Sequence, residues 1–206
     1  MHLAQLENGK VMKRKELAPG IVVYEDVMQG HETFIKDIED VVESGHVVWQ
    51  DSYVRVGSES KKDSSIRDTQ SLSVSYEIKN DEGLIAYFQQ SVRELFFNSF
   101  DHLEKEYMSS FGINCPDHDQ YQILKYGVGQ KFVNHIDDGP IHHRRVSTVY
   151  YVNDDYEGGE ILFPRFGLSY KPKANELLVF PSTYVYNHSV RPVLSGTRYA
   201  VVSWMK

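Results

Sequence analysis

From Asp119 onward, the chain consists of short runs rich in Val, Tyr, Ile and Phe that are separated by Gly, Pro, Asn and Asp. Closely spaced runs of this kind, bounded by turn residues, are typical of the strands of a sandwich or barrel. The predicted strands cover 120–126, 131–137, 146–152, 160–163, 176–180, 184–190 and 198–204. The second half of the chain is therefore predicted to form a mainly β core.

The first half of the chain has a different pattern. Apolar residues at helical spacing predict helices over 31–44 and roughly 84–109, and two apolar runs predict strands at 21–24 and 47–56. Helices that precede a set of strands favour a sheet supported by helices on one side. The predicted fold class is thus mainly β with supporting helices.

Two polar stretches interrupt this arrangement. Residues 1–20 are predicted to be a loose lead-in, and residues 57–70 to be a mobile surface loop or, alternatively, a lid over an active site. We predict one catalytic domain over 1–206, in which 21–118 supports a core formed by 119–206.

Composition narrows the class of protein. The formal net charge of −7 disfavours a nucleic-acid partner, because such partners usually require a basic surface. The single cysteine, Cys115, excludes an intramolecular disulfide. No stretch reaches the roughly 18 apolar residues of a membrane span, and Met1–Lys15 has no apolar core of a signal peptide. The expected location is the cytoplasm, with no membrane partner.

The pattern His-x-Asp/Glu occurs twice, although about one occurrence is expected by chance. His102 and Glu104 fall on the long predicted helix, where residues two apart diverge, so we interpret them as surface residues. His135 and Asp137 fall on a predicted strand, where residues two apart share a face with Val133. This second pair is a candidate metal site, and the alternative is a polar strand edge.

His188 supplies a third ligand, and His135, Asp137 and His188 together have the composition of the facial triad that binds non-haem Fe(II). Strand phasing predicts that His188 and Arg198 both face a barrel interior if their strands pair. A buried arginine needs an anionic partner. That partner is either a core carboxylate such as Glu160 or the carboxylate of a ligand.

Four motifs carry a resemblance to a known family. They are YQILKYGVGQKFVNHID from Tyr121, RVSTVYYVND from Arg145, GGEILFP from Gly158 and HSVRPVLSGTRY from His188. In order and spacing they resemble the prolyl 4-hydroxylase branch of the 2-oxoglutarate- and Fe(II)-dependent dioxygenases. The resemblance covers about 120–206.

This resemblance implies a double-stranded β-helix, also called a jelly roll, in which the three triad residues bind Fe(II). It implies that Arg198 binds the distal carboxylate of the co-substrate 2-oxoglutarate, and that Tyr126 and Tyr151 form hydrogen bonds with that co-substrate. The other reactant is O2, and ascorbate is a possible reductant. For the two tyrosines the alternative is a role as ordinary core aromatics.

The substrate is less constrained. The family branch implies a peptidyl proline, with Arg67 and Trp204 as candidate substrate residues; another amino-acid side chain or a small molecule stays open. Nucleic-acid dealkylases usually have a second arginine where this chain has Trp204. Two other classes remain: a cupin-like metal protein without oxygenase activity, and an inactive relative that binds a partner. The oligomeric state is not predicted.

Overall fold

The computed structural model describes residues 3–5, 11–45, 47–56, 59–74, 84–140 and 143–206. The helices in these residues are α1 (His31–Glu43) and α2 (Leu84–Phe111). The strands are β1 (Leu3–Gln5), β2 (Val11–Ala18), β3 (Ile21–Glu25), β4 (Gln50–Asp51), β5 (Val54–Val56), β6 (Glu59–Lys61), β7 (Gln70–Val74), β8 (Tyr121–Tyr126), β9 (Phe132–His135), β10 (Val146–Tyr151), β11 (Glu157–Gly158), β12 (Ile161–Phe163), β13 (Leu168–Tyr170), β14 (Glu176–Pro181), β15 (His188–Val190), β16 (Val193–Ser195) and β17 (Arg198–Met205).

Two antiparallel sheets form the core. The larger sheet has the order β1-β2-β3-β14-β10-β17-β8-β7-β4, and the smaller sheet has the order β13-β12-β15-β9. Two further pairs, β11 with β16 and β5 with β6, flank them. The architecture is a double-stranded β-helix with helices on one side, which confirms the predicted fold class.

The larger sheet separates two hydrophobic clusters because side chains alternate between its faces. On β14, Leu177 and Val179 belong to the cluster that faces the helices, whereas Leu178 and Phe180 belong to the cluster between the sheets. The same alternation on β17 sends Ala200, Val202 and Trp204 to the inter-sheet side. The phasing predicted for this strand is therefore confirmed.

Both helices pack on the outer face of the larger sheet. Phe34 of α1 contacts Phe96 of α2 edge to face, with ring centroids 5.4 Å apart. Phe100 packs on Tyr150 of β10 at 5.0 Å. Each such buried aromatic side chain contributes about 1.5–3 kcal/mol of hydrophobic free energy. Apolar residues at helical spacing thus hold the helices against the sheet, as the sequence predicts.

The prediction of a loose lead-in over 1–20 is wrong for the described residues. β2 pairs along its length with β3, and β1 pairs with β2. The polar composition misleads because this hairpin lies at the edge of the sheet, where Lys13 forms ion pairs with Glu25 and Asp26 in solvent. An edge strand needs little apolar surface.

Two predicted strands are only partly correct. The run 47–56 is divided between β4 and β5, which belong to different sheets. In the run 184–190, Tyr184–Tyr186 forms a 3-10 turn and only β15 is extended. β15 pairs with β9 and β12, not with the strand of Arg198. Residue alternation predicts which face a side chain takes, but not which strand lies beside it.

Within the polar stretch 57–70, residues 57–58 lie outside the described residues. Its remainder forms β6 and then runs beside β9. The amide of Val133 donates to the carbonyl of Ile66 at 2.9 Å, and the amide of Asp68 donates to the carbonyl of Lys131 at 2.9 Å. The later part of the stretch is thus bonded to the strand that carries His135. Closure of this stretch as a lid stays a prediction.

The interpretation of Glu104 as a surface residue is wrong. Its residue surface is only 4% exposed, and its Oε1 lies 3.4 Å from Nε2 of His118. The face of α2 that carries Glu104 also carries Leu103 and Tyr107, which are both buried. No helix of the described residues is long and apolar enough to cross a membrane.

Candidate active site

One cavity of about 830 Å³ lies between the two sheets. It is lined by all three triad residues, His135, Asp137 and His188, together with Tyr126 and Arg198. These residues span more than 70 positions of the sequence, from Tyr126 to Arg198. Tyr126, His135, His188 and Arg198 lie on strands β8, β9, β15 and β17, and Asp137 lies just beyond the end of β9.

The triad is compact. The candidate ligand atoms of the three side chains all lie within 4.8 Å of one another. Nε2 of His135 is 3.6 Å from Oδ1 of Asp137, and Nε2 of His188 is 3.7 Å from Oδ2. His135 and His188 lie opposite each other in the pairing of β9 with β15.

Asp137 departs from the predicted geometry. β9 ends at His135, so Asp137 lies beyond the strand instead of sharing a strand face with His135 and Val133. Val133 is 36% exposed, whereas the carboxylate of Asp137 is almost covered. The pairing of His135 with Asp137 is therefore produced by the turn that follows β9.

Neighbouring carbonyl groups set the orientation of both imidazoles. Nδ1 of His135 lies 2.9 Å from the carbonyl oxygen of Val133, and Nδ1 of His188 lies 3.1 Å from that of Tyr186. A carbonyl only accepts hydrogen bonds, so each Nδ1 carries a proton and each Nε2 is the ring nitrogen available to a metal. Phe132 stacks on His135 with ring centroids 3.6 Å apart, which holds the ring.

The protonation states suit a divalent cation. Burial opposes ionisation of Asp137, but the charges and hydrogen bonds of His188, His135 and Ser147 outweigh it and lower the pKa of the carboxyl. Burial, aided by the charge of His135, lowers the pKa of His188 to about 4. An ionised carboxylate and a neutral imidazole are the ligand forms that bind metals. The donor set fits Fe(II).

Arg198 lies at the inner end of this arrangement. It is 1% exposed, and its Nε and Nη1 have no hydrogen-bond partner in the part of the chain that the structure describes. Within the described residues it forms no ion pair with Glu160 or with any other carboxylate, so the core-carboxylate alternative is wrong. A buried cation with unpaired donors fits an anionic ligand group.

Tyrosines surround the guanidinium. The Cζ of Arg198 lies 4.7 Å from the ring centroid of Tyr126 and 5.2 Å from that of Tyr151. Tyr126 lines the cavity. Tyr151 does not line it, and its buried hydroxyl has no hydrogen-bond partner among the described residues. The hydrogen bonds of both tyrosines to a co-substrate stay a prediction.

Tyr156 was not predicted from the sequence. Its buried hydroxyl also lacks a hydrogen-bond partner within the described ranges, and burial raises its pKa while Arg198 opposes the rise. A Cβ on Gly159 would lie 2.9 Å from Cε2 of Tyr156 and 3.0 Å from Cδ of Arg198. Gly159, at φ +65°, therefore allows the close approach of these two side chains. In the sequence, Gly158 and Gly159 follow Tyr156 after one intervening residue, and this pair could have indicated a close approach of side chains.

Both candidate substrate residues line the cavity. Arg67 lies over the ring of Phe132, 5.0 Å from its centroid, and its Nε has no hydrogen-bond partner. Trp204 is covered by Arg144, whose Cζ lies 3.5 Å above the indole. Arg144 was not predicted, and its Nε donates to Asp119 at 3.0 Å. Contact of these residues with a substrate stays a prediction.

Residues 121–206 match the family model of the 2OG-Fe(II) oxygenase superfamily. The chain is 28% identical to prolyl 4-hydroxylase subunit alpha-1 of Gallus gallus over 46% of this chain and 22% of that protein. It is 34% identical to a PKHD-type hydroxylase of Gloeothece citriformis over 40% of each chain. The chain thus spans less than half the length of either curated relative.

Solved structures share the fold. A prolyl hydroxylase from Trichoplax adhaerens, in complex with a peptide fragment of the hypoxia inducible factor oxygen degradation domain, has a TM-score of 0.67 at 19% identity, over 90% of this chain and 83% of that chain. A Pseudomonas putida prolyl-4-hydroxylase has a TM-score of 0.65 at 19% identity, over 91% and 92%. The solved structures share the fold of this chain, and the part that matches the superfamily model, residues 121–206, carries all three triad residues.

Proposed function

We propose that this protein is an Fe(II)- and 2-oxoglutarate-dependent hydroxylase that acts on a prolyl residue of a peptide. One observation carries the proposal: three side chains that could hold one metal ion line the same cavity as a buried arginine whose Nε and Nη1 have no hydrogen-bond partner among the described residues. The cluster fits iron, and the arginine fits the distal carboxylate of a dicarboxylate. A cupin-like metal protein without oxygen chemistry has no need for such an arginine.

The choice of a peptidyl proline is supported by the relatives. Prolyl 4-hydroxylase subunit alpha-1 and the solved prolyl hydroxylases carry this substrate class in their names. The cavity, at about 830 Å³, is large enough for a co-substrate and a side chain of a second molecule. Arg67 and Trp204 lie in its lining, where a substrate would contact them.

The chain's own residues bind and orient the reactants. His135, Asp137 and His188 would hold Fe(II), which supplies the coupled reaction of O2 with 2-oxoglutarate that gives succinate, CO2 and a hydroxylated substrate carbon. Arg198 binds the far carboxylate of 2-oxoglutarate and so directs its keto acid end toward the triad. The burial of Arg198 strengthens this interaction because water does not compete for the guanidinium.

An anaerobic absorption titration tests the proposal. The apoprotein receives Fe(II), 2-oxoglutarate or both, and we expect a visible charge-transfer band only when both are present. Proline-containing peptides are then assayed for 2-oxoglutarate-dependent release of succinate and for a mass increase of one oxygen atom. Metal binding without the charge-transfer band would overturn the oxygenase assignment in favour of a cupin-like protein.

Two accompanying proposals concern conditions in the cell. We propose a cytoplasmic location, which is supported by the single cysteine. We also propose ascorbate as a reductant that keeps the iron in its ferrous state. Turnover with and without ascorbate measures this second dependence, and equal total turnovers over repeated cycles would contradict it.

A further inference from the structure

Two buried serine hydroxyls form a chain that ends on the metal-binding carboxylate. Oγ of Ser147 donates to Oδ2 of Asp137 at 2.7 Å, and Oγ of Ser147 lies 2.8 Å from Oγ of Ser182. Each of the two serine residues is only 1% exposed. Water therefore does not replace these contacts, and the carboxylate depends on the two serines for its orientation.

The direction of the hydrogen bonds follows from counting donors. An ionised carboxylate only accepts, so the single hydroxyl hydrogen of Ser147 points to Asp137. Ser182 must then donate its own hydrogen to Oγ of Ser147. The chain runs from Ser182 through Ser147 to Asp137, and hydrogen bonds in such a chain polarise and strengthen one another.

Both ends of this chain are anchored by backbone. Ser147 lies within β10, which is paired on both sides in the larger sheet. The amide of Ser182 donates to the carbonyl of Arg145 at 3.0 Å, and the carbonyl of Ser182 accepts from the amide of Asp138 at 3.0 Å. Ser182 therefore binds the same turn that carries Asp137, which has already left β9.

We propose that Ser147 and Ser182 are positioning residues that hold Oδ2 of Asp137 and leave Oδ1 as the oxygen offered to the metal. This inference rests on the metal site of the proposed function. Groups that hydrogen-bond to a ligating carboxylate typically change metal affinity by about 10–100-fold. Without Ser147, the carboxylate is free to rotate or to present both oxygens, which would occupy a position needed by a reactant.

A titration of the apoprotein with Co(II), followed by calorimetry and visible absorption, tests the inference without any turnover. We expect Ser147→Ala to raise the Kd for Co(II) by about 10-fold or more and to alter the Co(II) absorption spectrum. Ser182→Ala should have a smaller effect because Ser147 still donates to Asp137. Ser147→Thr retains the hydroxyl and should recover most of the wild-type affinity.

Ser203→Ala is the matched control. It removes a hydroxyl from an equally buried serine on β17, whose Oγ contacts the carbonyl of Asp119 and not Asp137. We expect wild-type Kd and spectrum for this variant. Circular dichroism establishes folding; were Ser147→Ala unfolded, Ser182→Ala would decide the question by a raised or an unchanged Kd.

The outcomes separate the two proposals. Wild-type Kd and spectrum in a folded Ser147→Ala protein would overturn the role of the serines and leave the proposed function intact. A wild-type protein that binds neither Co(II) nor Fe(II) would overturn both. A raised Kd in Ser147→Ala, with Ser203→Ala unchanged, supports the positioning role.

Discussion

The two faces of the larger sheet differ in whether their buried polar groups are hydrogen-bonded. On the helix side, the hydroxyl of Tyr107 donates to the carbonyl of Gly20 at 2.8 Å, and that of Tyr150 donates to Asn175 at 3.0 Å. On the inter-sheet side, the hydroxyl of Tyr151 and two nitrogens of Arg198 have no hydrogen-bond partner in the residues that the structure describes. Unpaired buried polar groups typically cost about 1–3 kcal/mol each.

This difference separates stability from function. The hydroxyls of Tyr107 and Tyr150 on the helix side are hydrogen-bonded within the chain, so they stabilise the fold without a ligand. On the inter-sheet face, hydrogen-bond donors and candidate metal ligands lack partners within the described residues. In the proposed function, an anion pairs with the donors and a metal ion binds the ligands. Functional sites of this kind retain local strain that the rest of the fold must offset. Mutations on the two faces should therefore act on different measurable quantities.

The largest expected effect is that of Asp137→Ala. Loss of the carboxylate should weaken metal binding by more than about 100-fold, since the loss of a group that only hydrogen-bonds to a metal ligand already changes affinity by about 10–100-fold. Turnover should fall to background while the apoprotein stays folded. Calorimetry with Fe(II) or Co(II) and a succinate assay measure the two effects. Turnover near the wild-type rate would refute the triad as the metal site.

Phe100→Ala tests the face of the larger sheet that packs against the helices. Its ring packs on Phe96 and Tyr150, with centroids 5.6 and 5.0 Å away. Truncation should lower the free energy of unfolding by about 3–5 kcal/mol, because the helix and sheet cannot fill the cavity. Denaturant titration measures the loss. The KM for 2-oxoglutarate of the folded fraction should stay at the wild-type value; a large change would mean that the two faces are not separate.

Arg198→Met tests both 2-oxoglutarate binding and apoprotein stability in one variant. Each lost charge-assisted hydrogen bond should weaken 2-oxoglutarate binding by about 1.5–3 kcal/mol, which corresponds to at least about 10-fold in KM. Apoprotein stability should be unchanged or higher, because a buried cation without an ion-pair partner is removed. Steady-state kinetics and thermal unfolding of the apoprotein give both numbers. A strongly destabilised apoprotein would contradict the view that this face is completed only by a ligand.

The smallest expected effect is a pH dependence from His118. Burial opposes its protonation, but the hydrogen bond and charge of Glu104 outweigh it and raise the pKa of His118. The protonated pair stabilises the fold below the unfolded-state pKa of about 6.5 and loses this contribution as pH rises through the folded-state pKa. Glu104→Gln should reduce the slope of apoprotein stability between pH 6 and about 8. NMR titration of His118 measures the pKa, and a value below 6.5 would reverse the sign.

Much of the site was predictable from local sequence. Alternation along 198–204 predicted correctly that Arg198 and Trp204 face inward, and the order of four motifs predicted that the triad and Arg198 belong together. Ser147 and Tyr156 were missed because a serine in a β run and a tyrosine before two glycines have many structural uses. Their roles depend on which strands lie beside them, and a single sequence does not contain that information.

Sequence by itself determined the mainly β core, the two helices, the ligand types and the inward face of β17, because side-chain periodicity and residue chemistry are local properties. Tertiary structure alone decided that β15 pairs with β9, that Asp137 is oriented from beyond the end of its strand, that Glu104 is buried and that residues 11–18 form a strand between β1 and β3. These outcomes depend on contacts between residues far apart in the chain. Side-chain periodicity does not predict them, because a strand has the same alternation whichever strand lies beside it.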